Sequence, residues 1–195
     1  MTALAGTLER AGFATFLPHR DGLERYVMPY VDSPLNTRLF GLRARIDRAI
    51  FAVDVYQIVR RCDCLVFNLN GRVTDEGAAV EAGIAFAAGT PVVLYKNDRR
   101  SVFQGGDNSM LRGLSSMKPI EALDALPAAL ERITIPVAAG RERPLPPSLQ
   151  AAVEEGEKLW RLMRPPAGSP PKPLAADALA SALLAAIEKS APTDG

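Results

Sequence analysis

The chain has 195 residues, a formal net charge of +1 and 48% apolar residues, enough for one domain with an appendage around a real core. Near-neutral charge argues against a nucleic-acid footprint or an acidic partner, and a single histidine, His19, excludes a His-rich metal site. No stretch approaches the roughly 20 apolar residues of a membrane span, and the N-terminus lacks the basic-then-apolar pattern of a signal peptide, so no membrane contact and a cytoplasmic location are expected.

Residues 2–12 read as the end of a helix closed by Gly12, and Phe13 to Leu17 as a short strand ending at Pro18. His19 to Pro34 reads as a polar loop punctuated by proline and glycine, with His19 facing solvent or fixing the loop rather than lining a pocket. A long helix is predicted from about Thr37 to Arg61, with the apolar stripe Leu39, Leu42, Ile46, Ile50 and Val53 opposite arginines. Asp54 shares the side of Ile50 and Ile58 and reads as a rim charge more readily than as an inward-facing acid. Cys62 and Cys64 have no second cluster to complete a metal site, and are expected to be reduced core thiols.

Cys64 to Leu69 is a near-continuous apolar run, the pattern of a buried parallel strand. Asn70 to Val73 forms a loop, Thr74 or Asp75 caps the next helix, and Gly89-Thr90-Pro91 ends it before a second buried strand, Val92 to Tyr95. This strand–helix–strand order implies a right-handed parallel crossover. Lys96 to Gly113 reads as a loop, with Arg99 and Arg100 solvated and Gly105-Gly106 a hinge; Lys118 to Ile120 reads as a short strand and Leu123 to Ile133 as a helix. After Pro136 the composition shifts, and proline-rich joints at 144–147 and 165–173 bracket helices over about 148–163 and 174–189. The expected division is an α/β domain at 1–135 and a linker with a helical extension, an added cap or oligomer arm, at 136–195. Trp160 is expected to pack on the core or a neighbour.

Glu81 carries the most information. It lies in a helix otherwise made of small and apolar residues, where a charge is costly to bury without a partner or work. Ligands of open α/β sheets bind beyond the carboxyl ends of the strands. The first such end offers Asn68, Asn70 and Arg72, and the helix that follows offers Asp75 at its start and Glu81 six residues on. Six residues turn a helix by about 600°, so the two acids converge only if Asp75 lies in the cap and turns back over the pocket. Two carboxylates in unlike environments suit glycosidic-bond chemistry. Glu81 could attack an anomeric carbon, while Asp75, at a positive helix end, would stay ionised and hold sugar hydroxyls. Gly77, Ala78, Ala82, Gly83 and Ala85 would let a sugar come close. The same residues fit a plainer alternative, a tightly packed helix with Asp75 as cap and Glu81 in a salt bridge, and both readings stay open on the residues alone.

The run from Asn68-Leu69-Asn70-Gly71-Arg72-Val73-Thr74-Asp75-Glu76-Gly77 through Val80-Glu81-Ala82-Gly83-Ile84-Ala85 resembles the core motif of the nucleoside 2-deoxyribosyltransferases. Thr90 to Tyr95 resembles the family's following strand, Asp107-Asn108-Ser109-Met110-Leu111 its Asn-Pro-Met segment, and Phe13 to Leu23 its second strand and loop. The resemblance spans roughly residues 1–133 and is specific over 63–112. It implies an α/β fold with a doubly wound, flavodoxin-like parallel sheet in three α/β/α layers, extended here by C-terminal helices. It implies transfer of 2-deoxyribose between nucleobases, with retention and without metal or cofactor.

The resemblance also implies roles. Glu81 matches the nucleophile that forms a covalent deoxyribosyl-enzyme, and Asp75 the residue that holds the 5′-hydroxyl. Asn70 falls where many members carry an Asp that handles protons on the base. Asn108 and Met110 match residues that reach into a neighbouring subunit's site, and Gly71, Arg72 and Gly77 complete the expected substrate-binding set. The implied partners are a deoxynucleoside, a free nucleobase and further copies of the chain in a homo-oligomer with shared active sites. A related branch that hydrolyses deoxynucleoside 5′-monophosphates has Ser at the positions of Asp75 and Asn108. A carboxylate repels a phosphate dianion but accepts well from a hydroxyl, so free nucleosides are favoured. The alternatives are a deoxynucleoside or deoxynucleotide N-glycoside hydrolase of the same fold and a non-catalytic nucleoside or nucleotide sensor. Family members begin with a strand and a Tyr-x-Ala-Gly-like turn; the chain as given is expected to start inside the helix that follows. Ser109 stands where the family usually has Pro.

Overall fold

The computed structural model describes residues 2–31, 43–100, 107–133, 144–164 and 183–187. In chain order the elements are α1 (Thr2–Arg10), α2 (Pro18–Asp21), α3 (Glu24–Val31), α4 (Arg43–Tyr56) with a π-helical turn at Gln57–Arg61, β1 (Leu65–Asn68), α5 (Glu76–Ala88), β2 (Val92–Tyr95), α6 (Ser109–Arg112), a 3₁₀ turn at Leu123–Ala125 running into α7 (Leu126–Glu131), and α8 (Pro147–Met163). The chain divides into two compact units, Met1–Thr15 with Ile58–Leu145, and Phe16–Gln57 with Pro146–Gly195.

The first unit is α/β, built on an open parallel pair of strands. β1 and β2 run in register from Leu65 opposite Val92 to Asn68 opposite Tyr95, and Ile120 adds one parallel bridge at Tyr95 in place of the predicted strand at Lys118 to Ile120. All four β2 residues are buried. Side chains alternate across a strand, so Val93 and Tyr95 share one face, where they pack with Leu8 of α1 and with Leu126 and Leu130 of α7. α5 makes the crossover between the strands and packs on both. Its ends are local products of the sequence. Asp75 caps the start by accepting the Ala78 N–H at 2.8 Å, and Gly89 closes the end at φ 80°, a left-handed conformation that glycine adopts without penalty. Ala82, Ala85 and Ala88 are the residues α5 buries.

Phe13 to Leu17 is not a strand. The Phe13 N–H turns back to the Leu8 carbonyl at 3.0 Å, and the Leu17 N–H is taken by the Asp21 carboxylate at 2.9 Å. With these donors committed elsewhere the segment forms no ladder.

The second unit is helical among the described residues. The predicted loop from His19 contains α2 and α3 instead. Pro18 supplies a preset φ at the first turn of α2, and Leu23 and Val27, one helical turn apart, are fully buried. α4 and α8 form the main packing of this unit. The buried α4 residues Ile46, Ala49, Val53 and Tyr56 are matched by Val153, Gly156, Trp160 and Met163 on α8. Both sets have the three–four–three spacing of a helix–helix seam. A Cβ added at Gly156 would lie 2.0 Å from the Ala52 carbonyl oxygen, so glycine here permits close approach of two backbones. Ile50, expected in the buried stripe, is only partly buried, while Ala49, Ala52, Val55 and Tyr56 are buried. Leu39, Leu42, the start of the predicted helix at Thr37, the Gly105-Gly106 hinge and most of the predicted helix over 174–189 lie outside the described residues.

Candidate functional site

The carboxyl ends of β1 and β2 are joined by two side chains. The Asn70 Oδ1 accepts the N–H groups of Asn97 at 2.9 Å and Asp98 at 3.1 Å. In return the Asp98 Oδ2 accepts the Gly71 N–H at 3.2 Å. Both partners of the Asn70 side chain are donors, so its oxygen, not its nitrogen, must face them. The turn is tightened further by the Asn68 Oδ1, which accepts the Asn70 N–H at 3.1 Å, and Gly71 sits at φ 110°, a backbone that side-chain-bearing residues rarely adopt.

Asp98 is held in turn by Arg100, whose Nε and Nη2 lie 2.8 and 2.6 Å from the Asp98 Oδ2. The Arg100 guanidinium and N–H, with the Gly71 N–H, hold the Asp98 carboxyl well below the usual carboxylate range against the opposing effect of burial. Arg99 and Arg100 were expected to be solvated; Arg100 is mostly exposed at 72% but keeps this pair. Asp98 was not singled out in the sequence. The signal was its place just beyond the end of the second strand, where α/β sheets gather ligand-facing groups.

Beyond Gly71, Arg72 is exposed. Asp75 is exposed in the α5 cap, its Oδ1 committed to the Ala78 N–H and its Oδ2 without a partner among the described residues. The first condition for joining Asp75 to Glu81, a place in the cap, is therefore met. Gly77 is exposed beside it, and a Cβ there would meet the Asp75 Oδ1 at 3.3 Å. Glu81 is partly buried on α5 and engaged by a partner. Asn108 caps α6 by accepting the Met110 N–H at 2.9 Å, and Met110 is 77% exposed. The segment before them is anchored by an ion pair between Lys96 and Asp107, both largely shielded. Thus Asn70 and Gly71 are brought against the end of β2, while Asp75 and Gly77 cluster at the start of α5 and Asn108 and Met110 form a separate capped turn.

Other singled-out residues fall into plainer roles. His19 is exposed, and Asp54 is partly buried and engaged. Trp160 is packed, with its ring 5.9 Å from that of Phe16 edge-on and the Arg164 guanidinium 4.4 Å above it. Burial alone would raise the Asp21 carboxyl, but bonds from Arg20 and the Leu17 N–H, with the charges of Arg20 and Arg164, hold it below its usual range. Cys62 and Cys64 are unbridged and partly buried, and burial, with the Asp63 charge, pushes the Cys64 thiol up to about 11.

These features define an α/β protein with acids and amides gathered at the carboxyl edge of a parallel strand pair. The sequence model of the nucleoside 2-deoxyribosyltransferase family matches residues 2–163, and the chain belongs to that family. The match runs past residue 133, where the motif resemblance ends, and through α8. No curated protein and no solved structure matches the chain significantly. Among the described residues no helix is long and apolar enough to cross a membrane.

Proposed function

We propose that the protein is a nucleoside 2-deoxyribosyltransferase that moves 2-deoxyribose from a deoxynucleoside to a free nucleobase. The observation that carries this reading is the family match across the segment that holds Glu81 on α5 and Asp75 at its cap. In this reading the Glu81 carboxylate attacks C1′ of the deoxynucleoside, the C1′–N bond breaks, and the base leaves with the electron pair. A second base then displaces Glu81 from C1′, so two inversions give net retention. The Asp75 Oδ2 accepts the sugar 5′-hydroxyl. The Asn70 Nδ2, with its oxygen committed to backbone, donates to an acceptor atom of the departing base. Arg72, Gly71 and Gly77 line the approach, Asn108 and Met110 serve a neighbouring subunit's site, and the active form is a homo-oligomer. The full sheet is doubly wound and flavodoxin-like, with residues 136–195 as a helical extension.

Glu81→Ala is expected to abolish base exchange, a loss of at least about 10³-fold, with the circular dichroism spectrum unchanged. Exchange at the wild-type rate in this variant sinks the reading. Chromatography with and without adenine separates transfer from hydrolysis: release of free deoxyribose that needs no acceptor base would assign a hydrolase.

A further inference from the structure

Resting on the transferase reading above, we infer that Asp98 is a positioning residue that locks the Asn70–Gly71 turn and thereby makes Asn70 a pure hydrogen-bond donor toward the nucleobase. The bonds are reciprocal. Asn70 receives two N–H groups from the chain leaving β2, and that chain returns an acceptor, the Asp98 Oδ2, to the Gly71 N–H. Two strand ends joined in both directions cannot shift independently. Asp98 is itself fixed by Arg100, whose N–H and Nε lie 2.9 and 3.1 Å from its Oδ1. The Asp98 side chain is 17% exposed while that of Arg100 is 72% exposed. Asp98 thus bridges the turn and a more exposed guanidinium.

The chemical consequence falls on Asn70. An amide offers one oxygen and two N–H donors. With the oxygen occupied twice by backbone, only the Nδ2 remains, and it donates to nothing among the described residues. A turn set this way recognises an acceptor on the base, a ring nitrogen or carbonyl oxygen, and stabilises negative charge developing there as the glycosidic bond breaks. It cannot take up a proton. Gly71 contributes its unusual φ of 110°, which aims its N–H at Asp98.

The test combines hydrogen exchange with kinetics on the full chain. In D98A, peptides covering Gly71 and Asn97–Asp98 should exchange faster while those of the α4–α8 seam keep their protection. The kcat for base exchange should fall about tenfold or more with the deoxynucleoside KM changed less than about twofold, because orientation, not affinity, is lost. The double variant N70A/D98A should be no slower than N70A alone, since Asp98 acts through Asn70. D98N retains an oxygen for the Gly71 N–H but presents an amide to Arg100, and should fall between wild type and D98A; it carries the test if D98A does not fold. Unchanged amide exchange in both Asp98 variants overturns the lock. Additive losses in the double variant, or a raised KM at wild-type kcat, overturn the route through Asn70. Wild-type protein without any base exchange overturns the transferase reading and the positioning role with it, while the amide-exchange result still decides the lock.

Discussion

The β1–α5–β2 segment and the α4–α8 pair hold themselves together by different means. In the helix pair, specificity comes from shape: matched seams of Ile46, Val53, Tyr56, Val153, Trp160 and Met163, and a glycine where a side chain cannot fit. In the strand pair, the strands are four residues long and β2 is wholly buried, while polar side chains tie their carboxyl ends together. Shape-based packing tolerates little change in volume, whereas a polar turn responds to loss of a single acceptor. The lesson is that stability and chemistry respond to different substitutions in the two regions, and each can be perturbed separately.

The largest structural effect is expected at Gly156. Gly→Ala in a helix ordinarily stabilises by up to about 1 kcal/mol. Here the new Cβ would meet the Ala52 carbonyl at 2.0 Å, and backbone, not a flexible side chain, must move. Gly156→Ala should therefore destabilise by about 2–3 kcal/mol in urea denaturation; a gain in stability would mean that the seam is looser than its spacing implies.

Substitution at Asp75 sharpens the comparison from the other side. Asp75→Ala removes the cap bond to Ala78 and should cost about 1 kcal/mol. Asp75→Asn keeps an oxygen for that bond and should preserve stability, yet weaken use of the deoxynucleoside through loss of the carboxylate. Equal kinetics for Asn and Asp at this position would remove the proposed sugar contact and leave Asp75 as a cap alone.

The smallest effect concerns Cys64, beside β1. Its thiol is raised from an ordinary 9.0 to about 11, so the unfolded chain loses this proton first as pH rises. The stabilising contribution is complete below pH 9.0 and is lost as pH climbs toward about 11. Native alkylation at pH 8, followed by mass spectrometry, should leave Cys64 unmodified long after the thiols of urea-unfolded protein have reacted. Rapid native labelling would show that the strand edge opens. The Asp98 lock behaves oppositely: its contribution is complete above the ordinary carboxyl value of 3.8 and is lost as pH falls below that value toward the depressed folded one.

Much of the site segment was legible because its signals are local. Apolar runs marked β1 and β2, an acid before small residues marked the cap, and Gly89 before Pro91 marked the stop. The helix α3 was not legible, because its tyrosines, arginine and proline obscure the side on which Val27, one turn on from Leu23, is buried. Phe13 to Leu17 has the composition of a strand, but the N–H groups at its two ends are bonded to Leu8 and Asp21, which composition does not report. Asn70 was legible as a residue of interest, but the direction of its amide was not.

By itself the sequence determined the crossover unit, the caps of its helix and the place of Glu81 and Asp75 on it. Each rests on bonds and periodicities that span a few residues. Tertiary structure alone decided that Asp98 answers Gly71, 27 residues away, and that Asn70 turns its oxygen inward. Those bonds exist only once parallel pairing brings the two strand ends together, and no local pattern encodes a register between segments separated by a whole helix.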